Sequence, residues 1–380
     1  MRGNSANEVH ATSRISIHRR LRIAMFSYRL PVERERRGGI ERAAHTLADG
    51  LVRRGHEVVV FTHDRKPQHA LYDVSPLPWR SFVDKWIGRR LTMGYLGNVL
   101  AILPDYDDFD IVVMHGDSLL APLTGKPVVR VMHGSARGEA RSATSIGRWL
   151  LQYGVFAQEL LTAITQCGVV AVSECTRQDN PFIRHVVPHG VDTAIFRPAV
   201  SDARTAEPSI LFIGSMDGRK RGRLLLDGFV GEIRQRHPHA TLTMVGTEGP
   251  QLEGVTYLTG VSDRELAGLY RRSWVFASPS SYEGFGLPYL EAMACGTPVV
   301  ASPNPGSIEV LGDGAFGLLS SDAEFAATVA DLLADDARRL ALECAGLRRA
   351  IDFSLDRMLD GYERILTSLA HLHADTVASA

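Results

Sequence analysis

The stretch RIAMFSYRLPVERERRGGIERAAHTLADGLVRRGHEVVVFT (22–62) decides the fold class. Its first segment, RIAMFSY (22–28), is short and apolar, which is typical of a buried parallel strand. The segment 39–55 then spaces its apolar residues as an amphipathic helix does, and Gly55 suits the C-terminal cap. EVVVFT (57–62) is a second strand. A strand, a helix and a strand in this order predict the right-handed crossover of a parallel sheet.

The same alternation runs through the rest of the chain. Further strands are predicted at 110–116, 127–134, 168–173 and 185–190. A stretch with two prolines and little periodicity follows, which predicts an interdomain linker. The pattern then restarts, with strands at 209–215, 240–246, 255–260 and 274–280 and helices at 221–236 and 262–273. Two such blocks predict an α/β protein with two Rossmann-like, doubly wound parallel-sheet domains that face a cleft.

Length and composition agree with two ordinary domains. The chain has 380 residues and a formal net charge of -1, so no global basic field predicts nucleic-acid binding. The polar and basic segment 1–20 lacks the apolar core of a signal peptide and is expected to be a disordered tail. No apolar run is long enough to span a membrane. The four cysteines form no CxxC motif, which favours reduced thiols in a cytoplasmic protein.

The segment SSYEGFGLPYLEAMACGTPVVAS (280–302) carries the clearest chemistry. It follows a predicted strand, and Pro288 fits the first turn of a helix. The backbone N–H groups of Phe285, Gly286 and Leu287 would then lie at the helix N-terminus, where the dipole favours an anion. The sequence therefore predicts a phosphate-binding turn.

Two glutamates flank this turn, Glu283 just before the helix and Glu291 about one turn inside it. A carboxylate would repel a bound diphosphate, so both are expected to accept hydrogen bonds from hydroxyl groups. The alternative is an ordinary strand–turn–helix with two solvated glutamates.

Several motifs in order resemble family 4 of the retaining GT-B glycosyltransferases, also called glycosyl transferases group 1. The resemblance covers about residues 21–373. It includes RGGIERAAHTLADGLVRRGHEVVVFT (37–62), VSECTRQD (172–179), VPHGVDTAIFRP (187–198), LTGVSDRELAGLY (258–270), EGFGLPYLE (283–291) with AMACGTPVVAS (292–302), and FSLDRMLDGY (353–362).

The resemblance implies the GT-B architecture and an activity. It divides the chain into an N-terminal acceptor domain (21–190), a linker (191–208), a nucleotide-sugar donor domain (209–352) and a helix packing back toward the N-terminal domain (353–373). It implies a hexosyltransferase that moves a sugar from a nucleoside diphosphate sugar to an acceptor hydroxyl, with retention at the anomeric carbon. The family chemistry requires no metal and no cofactor besides the donor. A natural product, a lipid or a saccharide could be the acceptor.

The resemblance also assigns residues to roles. Glu283 would contact hydroxyls of the donor sugar, and His133 is similar to a cleft histidine at the end of the fourth N-domain strand, near the reacting sugar. Glu291 would accept from the ribose hydroxyls. The remaining donor-binding positions are Gly38 and Gly39 in a loop over the phosphates, Gly214 at a strand end, Gly260 and Val261 against the base, and the backbone of Phe285, Gly286 and Leu287 at the diphosphate.

One position departs from the family pattern. An arginine usually follows the glycine of the 209–214 strand, and a lysine stands six residues later. This chain has Ser215 and Arg221 there. A serine cannot supply the charge that stabilises a departing nucleotide, so Arg219, Lys220 or Arg221 is expected to do so. The alternative is a solvated basic turn.

Other segments carry weaker signals. Asp108–Phe109–Asp110 spells the DxD motif with which another glycosyltransferase class binds a metal, but it precedes a buried strand and is expected to be structural. No GxGxxG follows the first strand, which argues against a nicotinamide enzyme. WRSFVDKWIGRRLTMGYLGNVL (79–100) could lie on an anionic membrane surface or form a packed helix near the acceptor. We favour the packed helix because its glycines weaken an isolated one.

Two further functions fit the same fold. A GT-B sugar-nucleotide epimerase would need acid and base residues around the sugar and no acceptor. A binding protein that keeps the fold without turnover is suggested by Ser215.

Overall fold

The structure is a computed structural model, and it describes residues 19–31, 39–78, 98–116, 118–141, 145–198 and 204–379. Gly38, segment 79–97 of the predicted amphipathic helix and residues 1–18 of the predicted tail lie outside these ranges.

The N-terminal half forms a parallel sheet in the order β3-β2-β1-β4-β5-β6-β7. Its strands are β1 (Arg22–Ser27), β2 (Glu57–Thr62), β3 (Asp73–Pro76), β4 (Ile111–His115), β5 (Val128–Met132), β6 (Gly168–Ala171) and β7 (His185–Val186). The strand order reverses between β1 and β4, and ligands of doubly wound sheets bind at such a switch point. Because β3 was not predicted, His133 follows the fifth strand and not the fourth.

The C-terminal half repeats this plan in the order β10-β9-β8-β11-β12-β13, again with parallel pairing. Its strands are β8 (Ser209–Ile213), β9 (Thr241–Val245), β10 (Val255–Leu258), β11 (Val275–Ser278), β12 (Val299–Ala301) and β13 (Leu318–Leu319). Every residue of β8 and β11 is buried, as expected for strands that helices cover on both faces. The prediction of two doubly wound α/β domains is confirmed.

Helices cover both sheets. They are α1 (Gly39–Arg53), α2 (Ala136–Arg141), α3 (Ile146–Thr165), α4 (Glu174–Asp179), α5 (Gly222–Gly228), α6 (Arg234–Arg236), α7 (Asp263–Arg272), α8 (Leu287–Ala294), α9 (Pro305–Val310), α10 (Phe325–Ala334), α11 (Asp336–Asp352) and α12 (Leu355–Ala378). A π-helical turn (Phe229–Ile233) joins α5 to α6. Within the described ranges, no helix combines the length and the apolar character needed to cross a bilayer.

The last helix, α12, ties the chain end to the N-terminal domain. Arg54, just after α1, donates to Asp360 at 2.6 Å and to Glu363 at 2.8 Å. Gly50 of α1 makes room for Leu359, because a Cβ at Gly50 would lie 2.5 Å from that side chain. The C-terminal helix therefore packs on the first helix of the other domain and holds the two domains face to face.

Candidate functional site

A cavity of about 560 Å³ lies between the two domains. It sits beyond the carboxyl ends of the central strands of both sheets, where open α/β sheets bind ligands. The N-terminal domain lines it with residues that include Gly39, Arg42, Arg130, His133, Ser135, Glu139, Gln152, Glu159 and His189. The C-terminal domain contributes Gly214, Ser215, Arg219, Lys220, Gly246 and Glu283 through Pro288. The structure therefore brings together most of the predicted site residues.

The turn between β11 and α8 forms the C-terminal wall of the cavity. Gly286 is the N-cap of α8 with a φ of 103°, a left-handed conformation that glycine adopts without strain. The amides of Gly286 and Leu287 have no acceptor within the described part of the chain, whereas the carbonyl of Gly286 already accepts from Tyr289 at 3.0 Å. Unpaired amides at a helix N-terminus favour an anion, as the sequence predicted.

This turn also contacts the opposite domain. A Cβ at Gly284 would overlap the carbonyl oxygen of His133, so the two backbones approach closely at this point. Beside it, the Tyr282 hydroxyl accepts from the Ser135 amide at 3.0 Å and lies 3.2 Å from the Ser135 carbonyl. The turn before α8 is therefore held against the N-terminal domain.

Glu283 lies at the centre of a charged cluster and is 6% exposed. Lys220 Nζ donates to its Oε1 at 2.5 Å, and Arg219 donates to its Oε2 at 2.7 Å. Burial alone would raise the pKa of Glu283, but Lys220 and Arg219 outweigh burial and hold that pKa below its usual range. With two cations on one carboxylate, the cluster keeps a net positive charge beside the unpaired amides.

The short loop after β8 explains which basic residues reach the cavity. Gly214 takes a φ of 153° and leaves room for the Lys220 stem, whose Cβ would lie 2.8 Å from a Cβ at Gly214. Arg221 then adopts a left-handed conformation with a φ of 52°, which reverses the chain before α5.

Arg221 consequently does not line the cavity. Its Nε donates to the Pro279 carbonyl at 2.6 Å, and its other nitrogens pair with Asp322. Of the three basic residues predicted for the site, Arg219 and Lys220 line the cavity and Arg221 does not. Ser215 lines the cavity and donates to the Asp217 carbonyl at 2.7 Å.

Glu291 is buried behind the cavity wall and is held from both sides. Arg42 of α1 donates to its Oε1 at 2.9 Å, and the Tyr270 hydroxyl donates to its Oε2 at 3.2 Å. Arg42 also pairs with Asp263 at 3.1 Å. Burial would lower the pKa of Arg42, but Glu291 and Asp263 outweigh it, so the pKa is raised. The Glu291 carboxylate is therefore already paired with an arginine of the opposite domain.

Two further predicted positions lie elsewhere. Gly260 is exposed with a φ of 66°, and Val261 leads into Ser262, the N-cap of α7. Neither residue lines the cavity. Gly39 does line it, as does Gly246 after β9, which the sequence analysis had not selected.

Three histidines form a row on the N-terminal side of the cleft. Nε2 of His133 lies 2.9 Å from Nδ1 of His115, and its Nδ1 lies 3.3 Å from Nε2 of His189. Burial lowers the pKa of His115 to about 3 and that of His189 to about 4. Burial and then the two neighbours hold the pKa of His133 well below its usual range. All three imidazoles are therefore neutral at neutral pH.

Sequence reasoning selected His133 and missed its two neighbours. A signal was present, because the dipeptide His-Gly ends three N-domain segments, at 115–116, 133–134 and 189–190. The carboxyl ends of parallel strands lie at one edge of a sheet, and His115, His133 and His189 end or follow β4, β5 and β7 at that edge.

The DxD segment has a structural place, as expected. Asp110 Oδ2 accepts from the Arg22 amide at 2.8 Å and so fixes the start of β1. Asp108 lies 3.9 Å from the Arg22 guanidinium. Among the described residues, no group of three or more His, Cys, Asp or Glu side chains is arranged to hold a metal ion.

Comparisons with known proteins agree with this geometry. The profile of Glycosyltransferase Family 4 matches residues 37–195, and that of Glycosyl transferases group 1 matches residues 207–335. The MMP alpha-(1->4)-mannosyltransferase of Mycolicibacterium hassiacum is 35% identical over 242 residues, which cover 60% of this chain and 55% of that protein. The first curated relatives are matched over about half of their own length, between 42% and 55%.

Solved structures share the fold over nearly the whole chain. Sucrose-phosphate synthase from Thermosynechococcus elongatus superposes with a TM-score of 0.70 at 20% identity, covering 95% of this chain and 100% of that one. Anabaena Alr3699/HepE in complex with UDP-glucose superposes with a TM-score of 0.64 at 17% identity, again covering 95% and 100%. The chain therefore has the two-domain GT-B fold and belongs to the group 1, family 4 glycosyltransferases.

Proposed function

We propose that this protein transfers a sugar from a nucleoside diphosphate sugar to an acceptor hydroxyl, with retention of the anomeric configuration. The observation that carries the proposal is the positive cluster of Arg219, Lys220 and Glu283 beside the unpaired amides of the α8 N-terminus. The complex of Alr3699/HepE with UDP-glucose supports a nucleotide-sugar donor, because that protein shares the fold.

The donor diphosphate would bind at the turn before α8. Negative charge grows on the diphosphate as the bond to the sugar breaks, and fixed positive groups stabilise that charge without rearranging. Lys220 and Arg219 would supply these groups in place of the arginine that Ser215 replaces. Glu283, ionised and held by the same two cations, would accept hydrogen bonds from the sugar hydroxyls, and Glu291 would accept from the ribose.

The acceptor would enter along the N-terminal wall. Glu139 there accepts from Gln152 at 3.1 Å, and Glu159 accepts from the Ala136 amide at 3.2 Å through both oxygens. These contacts hold both carboxylates in the wall, which disfavours either as the nucleophile of a double displacement. Front-side displacement, in which the donor phosphate helps to take the acceptor proton, fits this arrangement, and closure of the domains would exclude water.

The proposal includes no metal and no cofactor besides the donor. The four thiols are unpaired, which fits the reducing cytoplasm where sugar nucleotides would be used. The acceptor is a hydroxyl compound, and the mannosyltransferase relative makes GDP-mannose one donor to include in any panel.

A donor panel tests the proposal. The full chain is incubated with UDP-, GDP-, ADP- and dTDP-sugars, with and without EDTA, and melting temperature and nucleoside diphosphate release are measured. We expect one donor to raise the melting temperature and to release its nucleoside diphosphate slowly, and EDTA to change neither. Lys220→Met should lose the release, whereas Arg223→Met, an exposed cation outside the cavity, should keep it.

Other outcomes would contradict the proposal in different ways. Binding without any release, even with a broad acceptor panel, would indicate a non-catalytic binding protein. Conversion of the donor into an isomeric sugar nucleotide would indicate an epimerase. Once a product is found, its anomeric proton coupling in NMR reports retention or inversion.

A further inference from the structure

The three cleft histidines carry information beyond the predicted role of His133. Both ring nitrogens of His133 are used within the row, one toward His115 and one toward His189. His133 therefore has no nitrogen left for a ligand in this arrangement. His189 also lines the cavity, and its Nδ1 has no partner among the described residues but is not fully buried, unlike Nε2 of His115 at the other end of the row.

The two hydrogen bonds of the row must point in the same direction along it. A neutral imidazole has one N–H and one lone pair, so it can donate to one neighbour and accept from the other. Either all three rings carry the proton on Nδ1, and the row donates from His115 toward His189, or all three carry it on Nε2, and the row donates the other way. Mixed patterns would leave two N–H groups or two lone pairs facing each other.

The buried end of the row decides between these patterns. His115 is 2% exposed, and its Nε2 has no hydrogen-bond partner in the described ranges. With the proton on Nε2, this atom would be an orphaned buried N–H group, which is rare in native proteins. With the proton on Nδ1, it carries only a lone pair. The structure therefore favours the Nδ1–H form in all three rings.

The other end of the row then presents an N–H group to the cavity. His189 packs edge-to-face on Phe285 with ring centroids 5.4 Å apart, and Phe285 packs in the same way on Phe353 at 5.5 Å. The backbone of Phe285 belongs to the turn before α8. A nucleoside diphosphate sugar bound at this turn would present phosphate and hydroxyl oxygens here, and these accept hydrogen bonds.

We propose that His115, His133 and His189 act as one hydrogen-bonded unit that delivers a donor N–H to a ligand oxygen at His189. His115 and His133 are positioning residues in this unit, because they act through the next ring. His189 is the residue that touches the ligand. The ligand contact rests on the proposed function, whereas the tautomers of the unliganded protein do not.

Nitrogen-15 NMR of histidine-labelled, unliganded full-length protein tests the tautomers. The chain has 14 histidines, so the ring-nitrogen signals of the three rings are assigned from His115→Asn, His133→Asn and His189→Asn variants. At pH 7 we expect all three rings to be neutral with the proton on Nδ1. A proton on Nε2 of His133 would overturn the proposed direction.

Variants at position 115 test whether His115 positions His133. In His115→Leu we expect His133 to populate both tautomers. His115→Asn, whose side-chain amide can replace the Nδ1–H donor, should restore a single tautomer. A single unchanged tautomer in a folded His115→Leu would show that His115 does not position His133.

Donor binding tests the ligand contact. His189→Leu should weaken the binding of the active nucleotide sugar by roughly 3- to 10-fold, the range for one lost hydrogen bond. His189→Asn keeps an N–H near the same place and should stay within about twofold. Wild-type affinity in both variants, or equal losses in both at unchanged melting temperature, would overturn a ligand-facing N–H. If no nucleotide sugar binds the wild type, the proposed function fails while the tautomer result still stands.

Discussion

Two clusters on opposite walls of the cleft differ in charge. On the C-terminal wall, the Glu283 carboxylate pairs with Lys220 and Arg219. On the N-terminal wall, beside charged residues such as Arg130 and Glu139, the three histidines form a row of neutral imidazoles, whose pKa values burial has pushed below neutral pH. The first cluster supplies net positive charge, and the histidine row supplies directed hydrogen bonds without charge.

This difference suits a ligand with a charged half and a neutral half. A diphosphate needs cations and amides that are already in place, because reorganising them would cost free energy during the reaction. Sugar and acceptor hydroxyls need donors and acceptors of defined direction. A charged imidazolium in the histidine row would also attract phosphate. The two clusters would then no longer distinguish the charged half of the ligand from its neutral half.

The largest expected effect comes from removing charge on the C-terminal wall. Lys220→Met should lower kcat by about 10²- to 10³-fold, the loss typical of one group that stabilises a developing negative charge. The measurement is nucleoside diphosphate release at saturating donor. Arg223→Met removes an equal charge outside the cavity and should change kcat less than twofold, on the order expected for exposed charges. Equal losses in the two variants would indicate a general field effect and not a specific contact.

A second substitution tests the close approach of the two domains at Gly284. Gly284→Ala should destabilise the folded protein by about 1–3 kcal/mol, because the added methyl overlaps the His133 carbonyl. Urea unfolding monitored by circular dichroism gives the free energy. Gly231→Ala is the matched control, since a Cβ there meets no atom within 4 Å. If Gly284→Ala is as stable as the control, the domains do not approach each other as closely as described.

The neutral histidine row predicts a dependence of stability on pH. An unfolded histidine binds its proton near pH 6.5, whereas His115 in the folded protein does so only at about 3. Acidification below pH 6.5 therefore favours unfolding, and this continues toward the folded pKa. His115→Asn should flatten the fall in unfolding free energy between pH 6.5 and 5 by about 1 kcal/mol per pH unit.

The control for this prediction is His239→Asn, which removes an exposed histidine. Its stability should follow the wild-type pH curve. An identical curve for His115→Asn would mean that His115 is not held neutral by the fold.

The smallest effect is expected at Arg221. Its guanidinium faces Asp322 and the Pro279 carbonyl, away from the cavity. Arg221→Met should leave donor affinity within about twofold and lower stability by at most about 1 kcal/mol, as is usual for partly exposed ion pairs. Calorimetric titration with the active donor measures the affinity. A loss of donor affinity clearly beyond twofold would show that Arg221 contacts the diphosphate.

The architecture and the conformation of the turn before α8 could be predicted from the sequence, because both depend on local patterns. Strand periodicity, Gly286 and Pro288 all act within a few residues, and α8 begins at Leu287 as expected. The choice between Lys220 and Arg221 could not be read in this way. It depends on a left-handed backbone at Arg221, which is uncommon for residues other than glycine and which the surrounding loop imposes.

Contacts between the domains could not be predicted from the sequence either. Arg42 pairs with Glu291, and these two residues come close only because the two domains face each other. Helix α3 was not predicted. Its exposure runs against the usual pattern, because Glu159 is 6% exposed whereas Leu150 and Ile164 are each 59% exposed. The burial of Glu159 depends on the cavity that this side chain lines, and a local sequence pattern does not contain that information.

A crystal structure with the active nucleoside diphosphate sugar bound tests the central claim most directly. We predict that the diphosphate lies within hydrogen-bond distance of the Leu287 amide and Lys220 Nζ, with the sugar between Glu283 and His189. A diphosphate held by Arg221, or a nucleotide sugar bound outside the interdomain cavity, would contradict this account.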